Sequence, residues 1–306
     1  MSELAIGIDL GGTKINAGII DSEGHILELL SQSTPQTGRG QDILNTIENL
    51  CGKLQQNFSI RALGIGSPGL IDSAQGVIMG CTPNLADWQG RNLKAYFYSK
   101  FDCPVVVDND ANMACYGEWK KGAGNHFQDM VLLTLGTGLG SGIVTKGFLS
   151  RGHNHLGVGF GHMIIEAQGR HCNCGQQGCL ESYVSGKGLV KTYLLLGGES
   201  GVKGEEIFER AESGDILARN AIDLFIRYLA IGVVNIFNTL APQSIVIGGG
   251  ISNQGEKRLL QPLKEAVMSI MSMPFQHPES LQIAQLGSDA GMIGAGLMAL
   301  EELHSG

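Results

Sequence analysis

Leu4-Ala5-Ile6-Gly7-Ile8-Asp9-Leu10-Gly11-Gly12-Thr13-Lys14-Ile15-Asn16-Ala17-Gly18-Ile19-Ile20 joins two apolar runs through a glycine turn. Short Ile-rich runs bounded by Gly read as buried strands, so the segment predicts strand, tight turn, strand. Asp21-Ser22-Glu23-Gly24 predicts a second turn, and residues 25–30 a third strand. The pattern restarts near residue 130. Met130-Val131-Leu132-Leu133-Thr134-Leu135 is again apolar, Gly136-Thr137-Gly138-Leu139-Gly140 is again a glycine turn, and residues 141–145 return. One supersecondary unit used twice predicts two related halves with a cleft between them.

Between and after these repeats, helical and strand patterns alternate. Apolar residues at Ile43, Leu44, Ile47, Leu50 and Leu54 have helical spacing. Short strands are expected at 62–66 and 104–107, with a helix at 111–121 after the second. Further on, the expectation is helix 215–240, strand 244–247, helix 254–272, strand 281–285 and a closing helix 289–303, with Asp289 as its N-cap. Strands alternating with helices define the α/β class.

Composition narrows the function classes. The 306 residues allow about two domains. The formal net charge is −8 and no basic run occurs, which argues against a nucleic-acid partner, whose phosphates need Lys and Arg. No uninterrupted stretch of 18 apolar residues occurs and the first residues carry no leader pattern, so neither a membrane span nor secretion is expected. The 46 glycines lack a three-residue period and cluster in turns, as backbone close to a ligand requires. Three of the seven cysteines crowd together at Cys172, Cys174 and Cys179. That predicts one metal cluster in a reducing cytoplasm rather than a disulfide framework.

Five motifs carry chemistry. Both glycine turns present bare N–H groups and a threonine hydroxyl between strands, which suits a phosphate. A plain hairpin would read the same for either alone; the pair in repeat argues for function. Neither is a Walker loop, and a strand rather than a helix follows the second, so a dinucleotide-binding reading fails its context test. Asp108-Asn109-Asp110-Ala111-Asn112 lies at a strand-to-helix junction, where a carboxylate can take the proton of an attacking hydroxyl, or simply cap the helix. Cys172-Asn173-Cys174-Gly175-Gln176-Gln177-Gly178-Cys179 plus one histidine, His162 or His171, makes a closed Cys3His zinc set. Such a closed shell is structural, and it can hold Glu181 rigid two residues beyond. Gly248-Gly249-Gly250 after an apolar strand lets a flat base or ribose approach, or is a bare turn.

Together, in this order and over nearly the whole chain, these motifs resemble the ROK family of sugar kinases and repressors. The resemblance implies a two-domain actin-like, ribonuclease-H-like fold: a small domain at 1–118 closed by the helix at 289–303, and a larger zinc-bearing domain at 119–288. It implies ATP and Mg2+ at Asp9, Gly11, Gly12, Thr13 and Lys14, at Gly136, Thr137 and Gly138, and at Gly248 and Gly249 on the adenosine side. It implies Asp110 as catalytic base and sugar contacts from Gly69, Asn84, Asn109, Asp110, His162 and Glu181. The zinc ligands it implies are His162, Cys172, Cys174 and Cys179, with His162 also turned to the sugar. It implies a homodimer. Glucose is the first expected substrate, with N-acetylmannosamine, N-acetylglucosamine and fructose as alternatives, and a catalytically inactive sugar-binding protein as an alternative class. A family repressor would need an N-terminal DNA-binding segment, for which residues 1–8 leave no room. One departure stands out: the family's Ala-Gly-Glu-x-Gly-His string reads Gly157-Val158-Gly159-Phe160-Gly161-His162 here, so Gly159 replaces a sugar-contacting Glu, with His153 or His155 as candidates to fill the gap.

Overall fold

The computed structural model describes residues 3–80, 85, 87–155, 159–271 and 280–304; Asn84 lies outside the described residues. The chain forms two compact units. The first holds residues 1–126, 142–158 and 288–306, the second residues 127–141 and 159–287.

The first unit starts with the expected meander: β1 (Leu4–Leu10), β2 (Lys14–Asp21) and β3 (Ile26–Ser33), successively antiparallel. Helix α1 (Gly40–Gln55) follows and buries Ile43, Leu44, Ile47, Leu50 and Leu54 on one face. Next come β4 (Ala62–Ser67), buried throughout, then the hairpin β5 (Leu70–Asp72) and β6 (Val77–Gly80). Helix α2 (Leu93–Phe101) is capped by Asn92, whose side chain accepts from the Ala95 N–H at 2.8 Å. Strand β7 (Val105–Asn109) and helix α3 (Asp110–Lys121) complete the run. The sheet order is β3-β2-β1-β4-β7, with β4 parallel to both β1 and β7. The apolar side chains of β1, β2, β4 and β7 form one core with α1, Phe97 and Trp88.

The second sheet is β10-β9-β8-β11-β12, from β8 (Met130–Leu135), β9 (Leu139–Thr145), β10 (Phe148–Ser150), β11 (Ser244–Gly248) and β12 (Leu281–Ile283). In both sheets the spatial order is third, second, first, fourth, fifth strand of that sheet, so the repeat in the sequence is a repeat of topology. Helices α4 (Glu181–Val184), α5 (Gly186–Leu195), α6 (Gly204–Glu212) and α7 (Ile216–Leu240) pack together in the second unit. Asp215 caps α7, its carboxylate accepting from the Leu217 and Ala218 N–H groups at 2.8 and 3.1 Å. By length and composition α7 could cross a membrane, although no uninterrupted apolar run marks it; 56% of its most apolar window is buried within the protein. That burial, against α4, α5, α6 and α8 (Gln261–Ile270), is how a core helix covers apolar side chains.

Two expectations need correction. The helix expected at 254–272 begins later: Gly255, with φ 70°, separates a 3-10 turn at Gly250–Gln254 from a π turn at Glu256–Leu260, which runs into α8, ending at Ile270. Asp289 precedes α9 (Ala290–Glu302) but its side chain caps nothing. Helix α9 returns to the first unit and lies directly on its sheet. A Cβ on Gly7 of β1 would stand 2.0 Å from the Met292 carbonyl oxygen, and one on Gly64 of β4 1.9 Å from that of Ala295. Glycine at both positions is therefore what lets helix backbone touch strand backbone.

Candidate active site

In the first unit the site residues gather at the carboxyl ends of β1, β4 and β7. The turn after β1 is closed by the Gly11 N–H donating to the Lys14 carbonyl at 2.9 Å. Asp9 sits at the end of β1, and Gly291 at the start of α9 gives it room: a Cβ there would lie 3.0 Å from the Asp9 carboxyl carbon. Burial, then the charges of Asp110 and Asp289, push the Asp9 carboxyl up to about 7. Asp289 thus belongs to this electrostatic neighbourhood, which sequence reading had assigned only a capping role.

The end of β7 sorts the three acidic-motif residues by role. Asp108 is 1% exposed and cannot face a substrate. Its carboxylate accepts from Arg151 Nε at 2.5 Å, Asn112 Nδ2 at 2.9 Å and the Asn109 N–H at 2.7 Å. Asn109, rather than either aspartate, is the helix cap: its side-chain oxygen accepts from the Ala111 N–H at 2.9 Å and the Asn112 N–H at 3.4 Å. Its Nδ2 donates to the Gly69 carbonyl at 3.0 Å, tying the turn after β4 to this helix end. Gly69 has φ 107°, a conformation only glycine adopts without strain. Asp110 is then left at the first position of α3, partly exposed, accepting from the Ala111 N–H at 2.9 Å. Burial raises its pKa, against the opposing pull of the Ala111 and Asp110 N–H groups and the Asn109 side chain. Arg151 was not visible from sequence, because nothing near it in the chain marks it as the partner of Asp108. His155 Nδ1 is 2.6 Å from Ser73 Oγ, next to the β5–β6 hairpin.

In the second unit the glycine turn is held differently. The Gly136 N–H donates to the Gly138 carbonyl at 2.9 Å, and the Gly186 N–H, at the start of α5, donates to the Gly136 carbonyl at 2.8 Å. The Leu139 N–H donates to Glu181 Oε2 at 2.8 Å. A Cβ on Gly138 would come within 2.6 Å of the same oxygen, so the turn passes close over this carboxylate. Gly249 has φ 80°, and a Cβ there would meet the Leu135 carbonyl oxygen at 2.5 Å, so β11 ends against the root of the same turn.

The four candidate metal ligands assemble as one group. The ligating atoms of His162, Cys172, Cys174 and Cys179 lie within 4.8 Å of one another. His171, the rival histidine, is not part of the group. His162 Nδ1 is 3.7 Å from Cys172 Sγ, and Cys174 and Cys179 are 3.6 Å apart. One imidazole and three thiols at this spacing suit a tetrahedral zinc ion and leave no open position. Arg170 pins the loop from the other side. Its guanidinium donates to the carbonyls of Ser182 and Gly188 at 3.0 and 3.2 Å and lies 4.6 Å from the Tyr183 ring centre. The cysteine loop is therefore locked to α4, and α4 begins with Glu181.

Two sheets of one order, each opening in a glycine turn, form the two-domain actin-like ATPase architecture. A family model described as "ROK family" matches residues 5–302. The chain belongs to the ROK family. It is 33% identical over 315 residues to the glucokinase of Streptomyces coelicolor, covering 97% of this chain and 98% of that one. It is also similar to a ROK family glucokinase from Streptomyces griseus solved with glucose and AMPPNP, with TM-score 0.86 and 33% identity over 97% of this chain and 99% of that one. A suspected N-acetylmannosamine kinase of Listeria monocytogenes superposes with TM-score 0.84 at 28% identity over 98% and 99% of the two chains.

Proposed function

We propose that this protein is a hexose kinase that transfers the γ-phosphoryl group of Mg-ATP to O6 of glucose. The observation that carries the reading is Asp110: a carboxylate at a helix start, with a pKa raised by burial, close enough to Asp9 at the end of β1 for its charge to raise the Asp9 pKa. A base of raised pKa can take a hydroxyl proton that an ordinary carboxylate would take poorly. In the reaction the O6–H proton passes to Asp110. O6 forms a bond to the γ-phosphorus as the bond to the bridging oxygen of ADP breaks. Positioning and electrostatics carry such a transfer, without a covalent intermediate. Asp9, Gly11, Gly12, Thr13 and Lys14 form the first phosphate site, Gly136, Thr137 and Gly138 the second, and Gly248 and Gly249 the nucleoside side.

Asp9 is the residue to hold Mg2+, since a cation would relieve the repulsion it feels from Asp110 and Asp289. Mg2+ would neutralise the phosphate oxygens. Zinc at His162, Cys172, Cys174 and Cys179 would be structural, fixing the loop that leads to Glu181. Gly69, Asn84, Asn109, His162 and Glu181 complete the sugar side. We read the enzyme as a cytoplasmic homodimer with no nucleic-acid or membrane partner.

The likeness to the suspected N-acetylmannosamine kinase of Listeria monocytogenes supports N-acetylmannosamine as the second reading, and Gly159 leaves the sugar open. Among the described residues a Cβ at Gly159 would meet His162 Cδ2 at 3.6 Å, an ordinary contact. ADP release with Mg-ATP and a panel of hexoses and N-acetylhexosamines tests both readings. Glucose-dependent ADP supports the first, N-acetylmannosamine-dependent ADP the second, and no sugar-dependent ADP removes both. Asp110→Asn is expected to lower kcat by at least ~100-fold while sugar still binds. Full turnover in that variant would take the base role from Asp110.

A further inference from the structure

The turn between β1 and β2 owes its shape to residues the kinase reading does not use. Thr34, 3% exposed, follows the last residue of β3. Its Oγ1 donates to the Gly11 carbonyl at 2.7 Å, and its N–H donates to the Thr13 carbonyl at 2.9 Å. Gln36 Nε2 donates to the Gly12 carbonyl at 2.9 Å and to the Thr34 carbonyl at 3.0 Å. With the Gly11 N–H on the Lys14 carbonyl, four successive carbonyls of the turn are engaged. The amides of Gly12 and Thr13 have no partner among the described residues, and Thr13 is exposed.

This sorting of donors and acceptors has a direct consequence for an anion. A carbonyl oxygen facing a phosphate repels it, whereas successive N–H groups attract it. Holding the carbonyls from the β3 side fixes the peptide planes, so the free N–H groups need no rearrangement when phosphate arrives. Affinity gained in this way comes from preorganisation, not from added contact. Both braces are neutral, so they work without placing a charge beside the phosphate.

The geometry points to Thr34 and Gln36 as positioning residues for the nucleotide: they hold the carbonyls of Gly11, Gly12 and Thr13 so that the turn meets the ATP phosphates with its amides. This rests on the kinase reading, so wild-type ADP release and wild-type binding of Mg-AMPPNP are measured first. Failure there overturns the kinase reading and the brace with it. With wild type active, the test is calorimetric binding of Mg-AMPPNP together with kcat, KM for ATP and KM for sugar.

Thr34→Val keeps the shape of the side chain and removes the donor. It is expected to weaken Mg-AMPPNP and raise KM for ATP about fivefold to tenfold, as loss of one net hydrogen bond does, while kcat and sugar KM stay within about twofold. Thr34→Ser restores the hydroxyl and is expected to restore affinity. Gln36→Ala should act in the same direction with a smaller effect, because Gln36 is exposed. Wild-type nucleotide affinity in both Thr34→Val and Gln36→Ala would overturn the inference. So would equal losses of nucleotide affinity, sugar affinity and melting temperature, because these would mark general loosening.

Discussion

The first glycine turn is braced by Thr34 and Gln36, two neutral side chains that take its carbonyls from within the same meander. The second is braced from farther along the chain and with charge. Glu181 takes the Leu139 N–H, and α5 takes the Gly136 carbonyl through the Gly186 N–H. Glu181 itself stands at the end of a Cys3His loop that is fixed by Arg170 and whose side chains could hold a metal. The topology of the two halves is the same, but their dependence is not. Among the described residues the first turn is held from its own hairpin and the residues just after it, while the second is held by residues that follow the cysteine loop.

Loss of the metal should separate the two most strongly. Replacement of the buried Cys179 by Ser, or chelation of zinc, is expected to lower the melting temperature by about 10 °C or more, because binding energy at a structural site is folding energy. Chelation should release about one zinc per chain. Hydrogen exchange supplies the comparison. The Leu139 and Gly186 amides should lose protection, while those of Gly11 and Thr34 keep theirs. Equal loss at all four would mean that the metal supports the whole fold, and the contrast between the turns would fall. A fully folded, metal-free protein would remove the zinc assignment altogether.

The repeat was legible because it is written in local patterns: apolar runs of strand length, each stopped by glycines. The grouping of His162 with the three cysteines was legible because three cysteines within eight residues are rare outside metal or redox sites. What escaped depends on contacts that the chain makes only when folded. Nothing adjacent to Arg151 announces Asp108, and nothing around Thr34 announces Gly11. Asn109, read from sequence as a sugar contact, is the cap of α3, since a strand-to-helix junction needs an acceptor for its first amides. The helical spacing expected at 254–272 holds for Glu256–Ile270, but its start is set by Gly255, whose positive φ periodicity cannot reveal.

A smaller effect belongs to the first turn and comes from Asp9. Its carboxyl titrates near 7 in the folded protein against an ordinary 3.8, so the folded state holds the proton more tightly than the unfolded chain. The stability this contributes is complete below about 3.8 and is lost as pH rises through about 7. Nucleotide-free wild type should therefore melt a few degrees lower at about pH 8 than at about pH 5, and Asp9→Asn should flatten that slope. The variant should also lose Mg-dependent nucleotide affinity, since an amide is a poor ligand for Mg2+. A slope unchanged by Asp9→Asn would place the pH dependence elsewhere, and the first turn would then be free of a charge conflict.

The mildest change concerns Glu181, and it asks whether the second turn needs the charge or only the acceptor. In Glu181→Gln the amide oxygen can still accept from the Leu139 N–H. The NH2 group then replaces Oε1, which stands 3.9 Å from Cys172 Sγ, and a metal-bound thiolate there would welcome a donor. Protection of the Leu139 amide should therefore survive in Glu181→Gln and fall about tenfold in Glu181→Ala, the loss of roughly one net hydrogen bond. Nucleotide affinity should follow the same order, with Gln within about twofold of wild type, because the acceptor and not the charge sets the turn. Should Gln behave like Ala, the carboxylate charge is what the second turn requires. The two turns would then differ in electrostatics as well as in the length of chain that supports them.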